Sequence, residues 1–283
     1  MNKIFFPQLM FSIVIIIIAI LWLIPTLGLF ISSFRTPQAV MSSGWWKIFR
    51  NITDFRQLTI DNYINTITNY GLARALLNSL IITIPSTVLP IFIASLAAFA
   101  FVLMEFSCKR ILYMIVIGLL VVPIQTTMVP ILRIYNNLGL SGTFPGLWLV
   151  HTGYGLPLAI YMLYNFFMMI PKELFEAAYV EGANSFTIYQ RILIPLSMPA
   201  IASLTVFQFL WVWNDLLIGL IYLGGNEQVA PLTVKVSNMV NSLGQNWHLL
   251  TSAAFISMIM PLTIFFLFQR YFEKGILVGA VKG

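Results

Sequence analysis

Charged side chains are scarce in this sequence. Lysine, arginine, aspartate and glutamate make up 8% of its 283 residues, whereas an ordinary soluble domain carries about 25%. Hydrophobic residues account for 59% of the chain, and the mean hydropathy is +0.91. A chain of this composition has more apolar surface than a water-soluble fold can bury. The sequence therefore indicates an integral membrane protein.

Cysteine and histidine are also rare, which narrows the possible chemistry. The single cysteine, Cys108, excludes a disulfide framework and a cysteine-based metal site, and we interpret it as a small apolar filler. With two histidines, His151 and His248, and no dense group of carboxylates, we expect neither a metal site nor catalytic residues. No G-x-x-x-x-G-K-[ST] loop is present to bind ATP. The net charge of +6 suits anionic lipid head groups, and we expect no nucleic-acid partner.

Long apolar runs make up most of the chain. Each is long enough to cross the hydrocarbon core of a bilayer, about 30 Å thick. We expect the first run to bend near Pro25, and it is too long for a signal peptide. No repeat or separate soluble domain is visible. The sequence thus predicts an all-α integral membrane protein, one domain over residues 1–283 with six transmembrane helices at about 9–31, 78–104, 111–132, 145–170, 196–223 and 249–272.

Prolines lie inside most of these runs. A proline in a membrane helix frees a backbone carbonyl, which a neighbouring element must satisfy. We therefore expect the proline-containing helices to pack against one another. The longest polar region, residues 34–77, separates the first two runs, and there Asp61 is expected to cap a helix running from Asn62 towards Leu77.

A polar segment from Glu173 to Pro195, ELFEAAYVEGANSFTIYQRILIP, interrupts the apolar pattern. Pro171 suits the first turn of a helix, and Gly182 can end that helix with a positive φ angle. Asn184 or Ser185 can cap a second helix, Phe186 to Ile194, which we expect to stop at Pro195. The pattern predicts a compact helix–turn–helix that serves as a docking element between two membrane spans.

This segment resembles the EAA loop of ABC importer permeases, in which E-A-A, glycine, isoleucine and a final proline recur at fixed spacing. The residues that match, and that the resemblance implies contact the ATPase, are Glu176, Ala177, Ala178, Gly182, Ile192 and Pro195. Ile194 stands where the family pattern has leucine. The run from Glu181 to Ser185 is similar to the carbohydrate-importing branch. The resemblance implies the MetI-like, six-helix fold of a type I ABC importer permease.

The same resemblance implies a set of partners. They are a second, homologous permease, two cytoplasmic ATPase subunits that bind ATP and magnesium, an extracytoplasmic sugar-binding protein and membrane lipids. This chain itself would carry no cofactor. It would lie in a bacterial inner membrane, with residues 171–194 and both termini in the cytoplasm and residues 34–77 in the periplasm. Basic residues are divided almost evenly between the two sides and do not decide the orientation.

Two further stretches refine the resemblance. The run from Ile24 to Arg35 looks most like permeases for α-glucosides and glucosylglycerol, which implies import of a small glycoside by alternating access. The final G-A-V-K-G looks like the end of the second permease of carbohydrate importers, and the apolar Ile276, Leu277 and Val278 favour a docked tail. The alternatives are a stand-alone secondary transporter or a membrane scaffold subunit, although neither a repeat nor ion-coupling groups are visible.

Trp213, Asn214 and Asp215 place polar groups inside the fifth apolar run. A carboxylate at membrane depth usually faces a cavity or a partner and often marks a substrate pathway. An aromatic face beside amide and carboxylate groups also suits a sugar. The alternative is that Asn214 and Asp215 only tie helices together.

A second polar set lies in the fourth run. His151, Tyr154 and Tyr161 recur at spacings of three and seven residues, which places them near one helix face. We interpret them as a polar stripe that lines the translocation pathway. Hydrogen bonding between helices is the alternative.

Overall fold

Helices make up most of the described chain, because a helix satisfies its own backbone hydrogen bonds where lipid offers none. The structure, a computed structural model, describes residues 5–50, 55–223, 226–239 and 246–280, of which 5–9, 55 and 270–280 are described by backbone alone. The first helices are α1 (Phe5–Ser33), α2 (Pro37–Ser42), α3 (Asp61–Thr68), α4 (Leu72–Leu103), α5 (Lys109–Leu119), α6 (Ile124–Asn137) and α7 (Phe144–Phe167). They are followed by α8 (Lys172–Val180), α9 (Ser185–Ile188), α10 (Ile194–Leu196), α11 (Met198–Trp213), α12 (Leu217–Tyr222), α13 (Leu232–Met239) and α14 (Trp247–Ala280).

Among the described residues, three helices are long and apolar enough to cross a membrane by themselves. They are Met10–Ser33, Leu72–Leu103 and Trp247–Gln269. The number rises to six if each pair of helices joined at a sharp bend counts as one span. The all-α membrane class predicted from composition is thereby confirmed. The predicted number of six spans is obtained only when each bent pair of helices is counted as one span.

Two of the predicted spans are wrong in their geometry. The run 111–132 is not one helix, because α5 and α6 meet at 103° with Pro123 at the break. The run 196–223 begins where the helix before it meets α11 at 73°, and it breaks again after Trp213. In both runs the chain is apolar enough for a continuous span, but local backbone breaks redirect it.

Contacts divide the chain into two units, residues 1–74 with 235–259 and residues 75–234 with 260–283. In the first unit, α3 is fixed by buried polar contacts. The Asn62 amide donates to the carbonyls of Ser33 and Arg35 at 2.9 and 2.8 Å, and the hydroxyls of Thr66 and Ser252 lie 2.8 Å apart. These bonds hold α3 to the end of α1 and to the start of α14.

The helix predicted to run from Asn62 towards Leu77 is present only in its first part, as α3. Its N-cap is Ile60, while the Asp61 carboxylate accepts a hydrogen bond from the Thr59 hydroxyl at 2.7 Å. The helix stops at Thr68, and Gly71, with φ of 69°, turns the chain before α4 begins. The second membrane helix therefore begins six residues before the predicted start at position 78, at Leu72.

In the second unit, α4 contains Pro85 and Pro90, and neighbouring helices satisfy the carbonyls that these prolines free. The Trp148 indole on α7 donates to the carbonyl of Ile81 at 2.8 Å, four residues before Pro85. The Gln208 amide on α11 donates to the carbonyl of Ser86 at 3.3 Å, four residues before Pro90. The expectation that proline-containing helices pack together is confirmed for α4.

Gly155 on α7 makes room for one of these bonds. A Cβ atom at this position would stand 2.5 Å from the Gln208 Nε2 atom and 2.9 Å from its Oε1 atom. Gln208 is buried, so its amide reaches α4 by passing over the bare backbone of α7. The three helices α4, α7 and α11 are thereby joined at one level.

Cys108 lies in the turn between α4 and α5. Cys108 is exposed and has a φ angle of 63° just before α5, so its interpretation as a small apolar filler is wrong. Its backbone takes the left-handed conformation that the turn requires.

The predicted docking of Ile276, Leu277 and Val278 concerns side chains outside those that the structure describes. Only the helical backbone of α14 is described as far as Ala280.

Replacing Gln208 by leucine leaves the Ser86 carbonyl without its donor. We expect a lower midpoint of thermal unfolding in detergent, since a buried polar group left unpaired costs about 1–3 kcal/mol. The matched background is Pro90→Ala, which restores an N–H four residues after Ser86. In that background Gln208→Leu should cost much less. Equal losses in the two backgrounds would contradict the assigned role of Gln208.

Candidate functional site

The loop between α7 and α11 has one face turned into the bundle and one face turned out. On α8, Phe175 and Ala178 are buried, three residues apart, and pack in a core cluster with residues of α4 and α7. Farther along, Ile188 and Leu193 are fully buried in the same cluster. The loop is therefore a packed element of the second unit.

The outward face of α8 and the turn after it is apolar and acidic. Leu174 and Phe186 are exposed by 45% and 64%, and Val180 by 89%. Glu173 lies in the first turn of α8 and is exposed, as is Glu176. Pro171 precedes the helix at the N-cap position, one residue earlier than predicted. Exposed apolar side chains beside carboxylates on a rigid helix suit a docking surface for another protein.

The corner of the loop depends on Gly182. Its φ angle is 87°, in the left-handed region that glycine adopts without a steric penalty. Its N–H donates to the carbonyl of Tyr179 at 3.0 Å, and that of Ala183 donates to the carbonyl of Ala178 at 2.9 Å. These two bonds form a Schellman motif, which satisfies the last carbonyls of α8. The predicted glycine corner is confirmed.

The second half of the loop begins as predicted and continues differently. The Asn184 side chain accepts the N–H of Thr187 at 2.8 Å and so caps α9. The helix does not run unchanged to Ile194, because a π-helical turn occupies Tyr189–Leu193. It also continues past Pro195, ending at Leu196. Pro195 is tolerated here because it stands in the first turn of α10, where its missing N–H would have no partner within the helix.

The residues that carry the E-A-A pattern fall on different faces. Ala178 is buried, and Ile192 is half-buried against the core cluster. The remaining pattern residues are exposed at the surface: Glu176, Ala177, Gly182 and Pro195. Part of the pattern thus builds the fold of the loop and part is available to a partner. Their role in ATPase coupling stays a prediction.

The Trp213-Asn214-Asp215 motif lies at the break between α11 and α12. Trp213 is 3% exposed and stacks on Phe209, with ring centroids 5.7 Å apart. The Asn214 side chain is exposed and donates to the carbonyl of Leu210 at 2.8 Å. The motif closes the end of α11. The described bond of Asn214 lies within its own helix, so it does not show Asn214 tying two helices together.

Asp215 holds the next helix in place. Its Oδ2 atom accepts the backbone N–H of Gly219 at 3.2 Å, in the first turn of α12. Its carbonyl accepts the hydroxyl of Thr233 on α13 at 2.6 Å. Asp215 also lines a small cavity of about 10 Å³, together with Ser79, Thr83, His151 and several apolar residues. Asp215 therefore joins α12 and α13 beside a small, mostly apolar space.

The three residues of the predicted polar stripe on α7, His151, Tyr154 and Tyr161, have different surroundings. His151 is buried, its Nδ1 atom has no described hydrogen-bond partner, and its ring meets that of Trp211 edge-on at 5.5 Å. Tyr154 bonds through its hydroxyl to Thr127 at 3.0 Å and to Tyr222 at 3.3 Å.

Tyr161, the third member, is 40% exposed. Tyr154 lines a separate cavity of about 300 Å³, mostly apolar, in which Thr127 and Tyr135 supply further polar atoms. Hydrogen bonding between helices is observed for Tyr154, and the substrate-pathway role of the stripe stays a prediction.

Several contacting residues were missed by sequence reasoning. Gln208 and Trp148, which satisfy the proline-freed carbonyls, could have been found by asking which donors lie in the neighbouring apolar runs. Tyr222, which bonds to Tyr154 and also donates to the carbonyl of Met128 at 3.2 Å, gave no sequence signal. Tyr189 begins the π turn of the loop, and no sequence pattern predicts such a turn.

Comparison with known proteins identifies the class of the chain. The family model described as "Binding-protein-dependent transport system inner membrane component" matches residues 86–278. The chain belongs to this family, and it is an ABC importer permease with the MetI-like fold. It is thus an inner-membrane transport component.

Two curated relatives are similar over most of the chain. The osmoprotective compounds uptake permease protein GgtD of Synechocystis is 53% identical over 98% of this chain and 93% of its own length. The alpha-glucoside transport system permease protein AglG of Rhizobium meliloti is 45% identical over 87% of this chain and 66% of its own length.

Solved structures show the same fold at low sequence identity. A bacterial ABC transporter involved in the import of the acidic polysaccharide alginate matches with a TM-score of 0.75 and 18% identity, over 96% of this chain and 98% of that one. An inward-facing MetNI methionine ABC transporter matches with a TM-score of 0.56 and 18% identity, over 70% of this chain and 93% of that one.

Replacing Gly182 by valine tests the corner of the loop. A left-handed conformation costs an L-residue about 1–2 kcal/mol, and no described atom lies within 4 Å of the position that a Cβ would take. The backbone is therefore the source of the expected damage. We expect Gly182→Val to lower the amount of ATPase subunit that co-purifies with the permease several-fold.

Gly182→Asn is the matched control, because asparagine adopts positive φ more readily than other non-glycine residues. It should retain most of the bound ATPase. If valine and asparagine gave the same result, the left-handed corner would not be what the partner requires.

Proposed function

We propose that this chain is one of two unlike permease subunits of an ATP-driven importer for a small glycoside of the α-glucoside or glucosylglycerol type. The observation that carries the proposal is 53% identity, over nearly the whole of both chains, to a permease named for osmoprotective compounds. A second relative is named for alpha-glucosides. A glucoside of glycerol satisfies both descriptions, since it is a small, neutral, polyhydroxylated solute.

In this proposal the chain works in a complex. A homologous permease completes the pathway, a sugar-binding protein delivers the solute outside, and two ATPase subunits bind ATP and magnesium. This chain carries no catalytic residue and no cofactor. The neighbouring structures support such a set of partners, because one is a methionine ABC transporter and another is an alginate ABC transporter in complex with a periplasmic protein.

The loop centred on α8 is the part of this chain that would meet the ATPase. Its exposed apolar side chains, Leu174, Val180 and Phe186, lie on a segment whose opposite face is fixed in the core cluster. A displacement imposed on this surface would be delivered to the bundle, because the buried face cannot yield independently. Alternating access then follows from movement of the helices to which the loop is packed.

For the solute, Tyr154 is a pathway candidate because it lines a cavity of about 300 Å³. Asp215 and His151 line a cavity of only about 10 Å³, so in this proposal they meet the solute only after the surrounding helices move apart. Asn214 and Tyr161 are exposed and can meet a partner or the solute. Trp213 is buried and could stack on a sugar only after α11 and α12 move apart.

Reconstitution of the complete complex in proteoliposomes tests the function. We expect one glycoside, delivered by the loaded binding protein, to stimulate ATP hydrolysis several-fold and to accumulate inside with ATP. Empty binding protein is the control for stimulation, and an unrelated neutral sugar is the control for specificity. Uptake by this chain alone, driven by an ion gradient, would instead favour a secondary transporter.

Cys108 offers a test of orientation. The proposal places both termini, residues 171–194 and the α4–α5 turn in the cytoplasm, with residues 34–77 in the periplasm. Cys108 is exposed in the α4–α5 turn and is the single cysteine of the sequence. A membrane-impermeant maleimide should therefore label the protein only after the cells are permeabilised. Labelling of intact spheroplasts would reverse the proposed orientation.

A further inference from the structure

We propose that Tyr189 is the residue that transmits movement of the loop to α4, through a buried hydrogen bond to Ser95. This inference rests on the proposed function, because it concerns how ATPase movement reaches the transmembrane helices. It assigns a positioning role to two residues outside the E-A-A pattern.

The contact is short and shielded. The Tyr189 hydroxyl lies 2.7 Å from the Ser95 Oγ atom, and the two residues are 8% and 3% exposed. The Ser95 hydroxyl donates its hydrogen to the carbonyl of Phe92 at 2.8 Å, on its own helix. The Tyr189 hydroxyl is therefore the donor towards Ser95. A buried bond of this kind is strengthened by its low-dielectric surroundings.

The ring of Tyr189 contacts the same helix one turn farther along. It meets the Phe99 ring at a centroid distance of 5.4 Å and an interplanar angle of 66°. Ser95 and Phe99 are four residues apart and share one face of α4. Tyr189 thus holds two successive turns of α4, one by its hydroxyl and one by its ring.

The π turn gives this contact its position. It begins at Tyr189 and ends at Leu193, and both of these residues are buried while Gln190 and Arg191 between them are exposed. The helical segments from Ser185 to Leu196 follow one another without a glycine. Short π segments in helices often occur at functional sites. The loop can therefore pass a displacement along this segment without absorbing it at a flexible joint.

The contact between Tyr189 and Ser95 lies beside an open groove. A space of about 560 Å³ separates α4 from the segment that follows the loop, with Thr87 and Ile91 on one side and Ile194 and Thr205 on the other. Ser95 and Tyr189 also line this groove. Beside the groove, Ile91 and Ala94 of α4 pack in one core cluster with Leu193, and the hydrogen bond between Tyr189 and Ser95 adds a directional polar contact to that packing. Movement of the segment is thus delivered to α4 through the packing and through that bond.

The test uses the reconstituted complex and compares Tyr189→Phe, Ser95→Ala and the double variant. The measured quantity is the number of glycoside molecules imported per ATP hydrolysed. We expect each single variant to lower this ratio several-fold while the ATPase still co-purifies, because the apolar packing of the loop is retained. The double variant should be no worse than either single one, as for two partners of one interaction. Ser95→Thr, which keeps the hydroxyl, should restore the ratio.

Two matched controls separate this role from general loss of a hydroxyl. Tyr164→Phe removes a hydroxyl from another tyrosine of the same unit, which packs on Tyr113 with centroids 4.1 Å apart. Ser203→Ala removes a hydroxyl that donates within its own helix, to the carbonyl of Pro199 at 2.9 Å. Both should keep the wild-type ratio.

The outcomes are distinct. A wild-type ratio in Tyr189→Phe and in Ser95→Ala, or losses that add in the double variant, would overturn the proposal while leaving the importer function intact. If the wild-type complex itself showed no glycoside-stimulated hydrolysis, the proposed function would be the part that failed.

Discussion

The structure depends on one constraint, that every backbone carbonyl freed inside an apolar helix must find a donor. Pro85 and Pro90 free two carbonyls on α4, and a cost of about 1–3 kcal/mol for each unpaired group makes their satisfaction compulsory. Trp148 and Gln208 supply the donors from α7 and α11. The two prolines of α4 are thereby matched by donors from the two helices α7 and α11.

The loop between α7 and α11 is held in place by packing against the same helices. Its buried face shares a core cluster with α4 and α7, and Gly182 and Asn184 fix the corner and the cap that hold its outward face in position. The exposed apolar side chains consequently lie on an element that cannot shift without moving its neighbours. Tyr189 adds a polar contact to this packing, at the edge of a groove that α4 and the facing segment line together.

Composition and local pattern were sufficient to predict the class, the apolar runs, the glycine corner and the Asn184 cap, because these depend on short stretches of sequence. The breaks at Pro123 and after Trp213 were missed because hydropathy averages over a window and does not record direction. The predicted cap at Asp61 is wrong because its carboxylate accepts the hydroxyl of Thr59, and a residue type alone does not show which nearby donor it pairs with. The contacts of Gln208, Tyr222 and Tyr189 join residues far apart in the chain, and a single sequence carries no record of such pairs.

A distance measurement tests the connection between loop and bundle most directly. Spin labels would be placed at exposed Lys172 on α8 and exposed Leu77 on α4, in a Cys108→Asn background. Asparagine suits the positive φ angle at position 108. The distance between the labels would be recorded in the reconstituted complex without nucleotide and with ATP trapped. A rigid connection predicts one narrow distribution in both states. A distribution that shifts or broadens on ATP binding would show that the loop moves independently of α4, and would contradict the transmission described here.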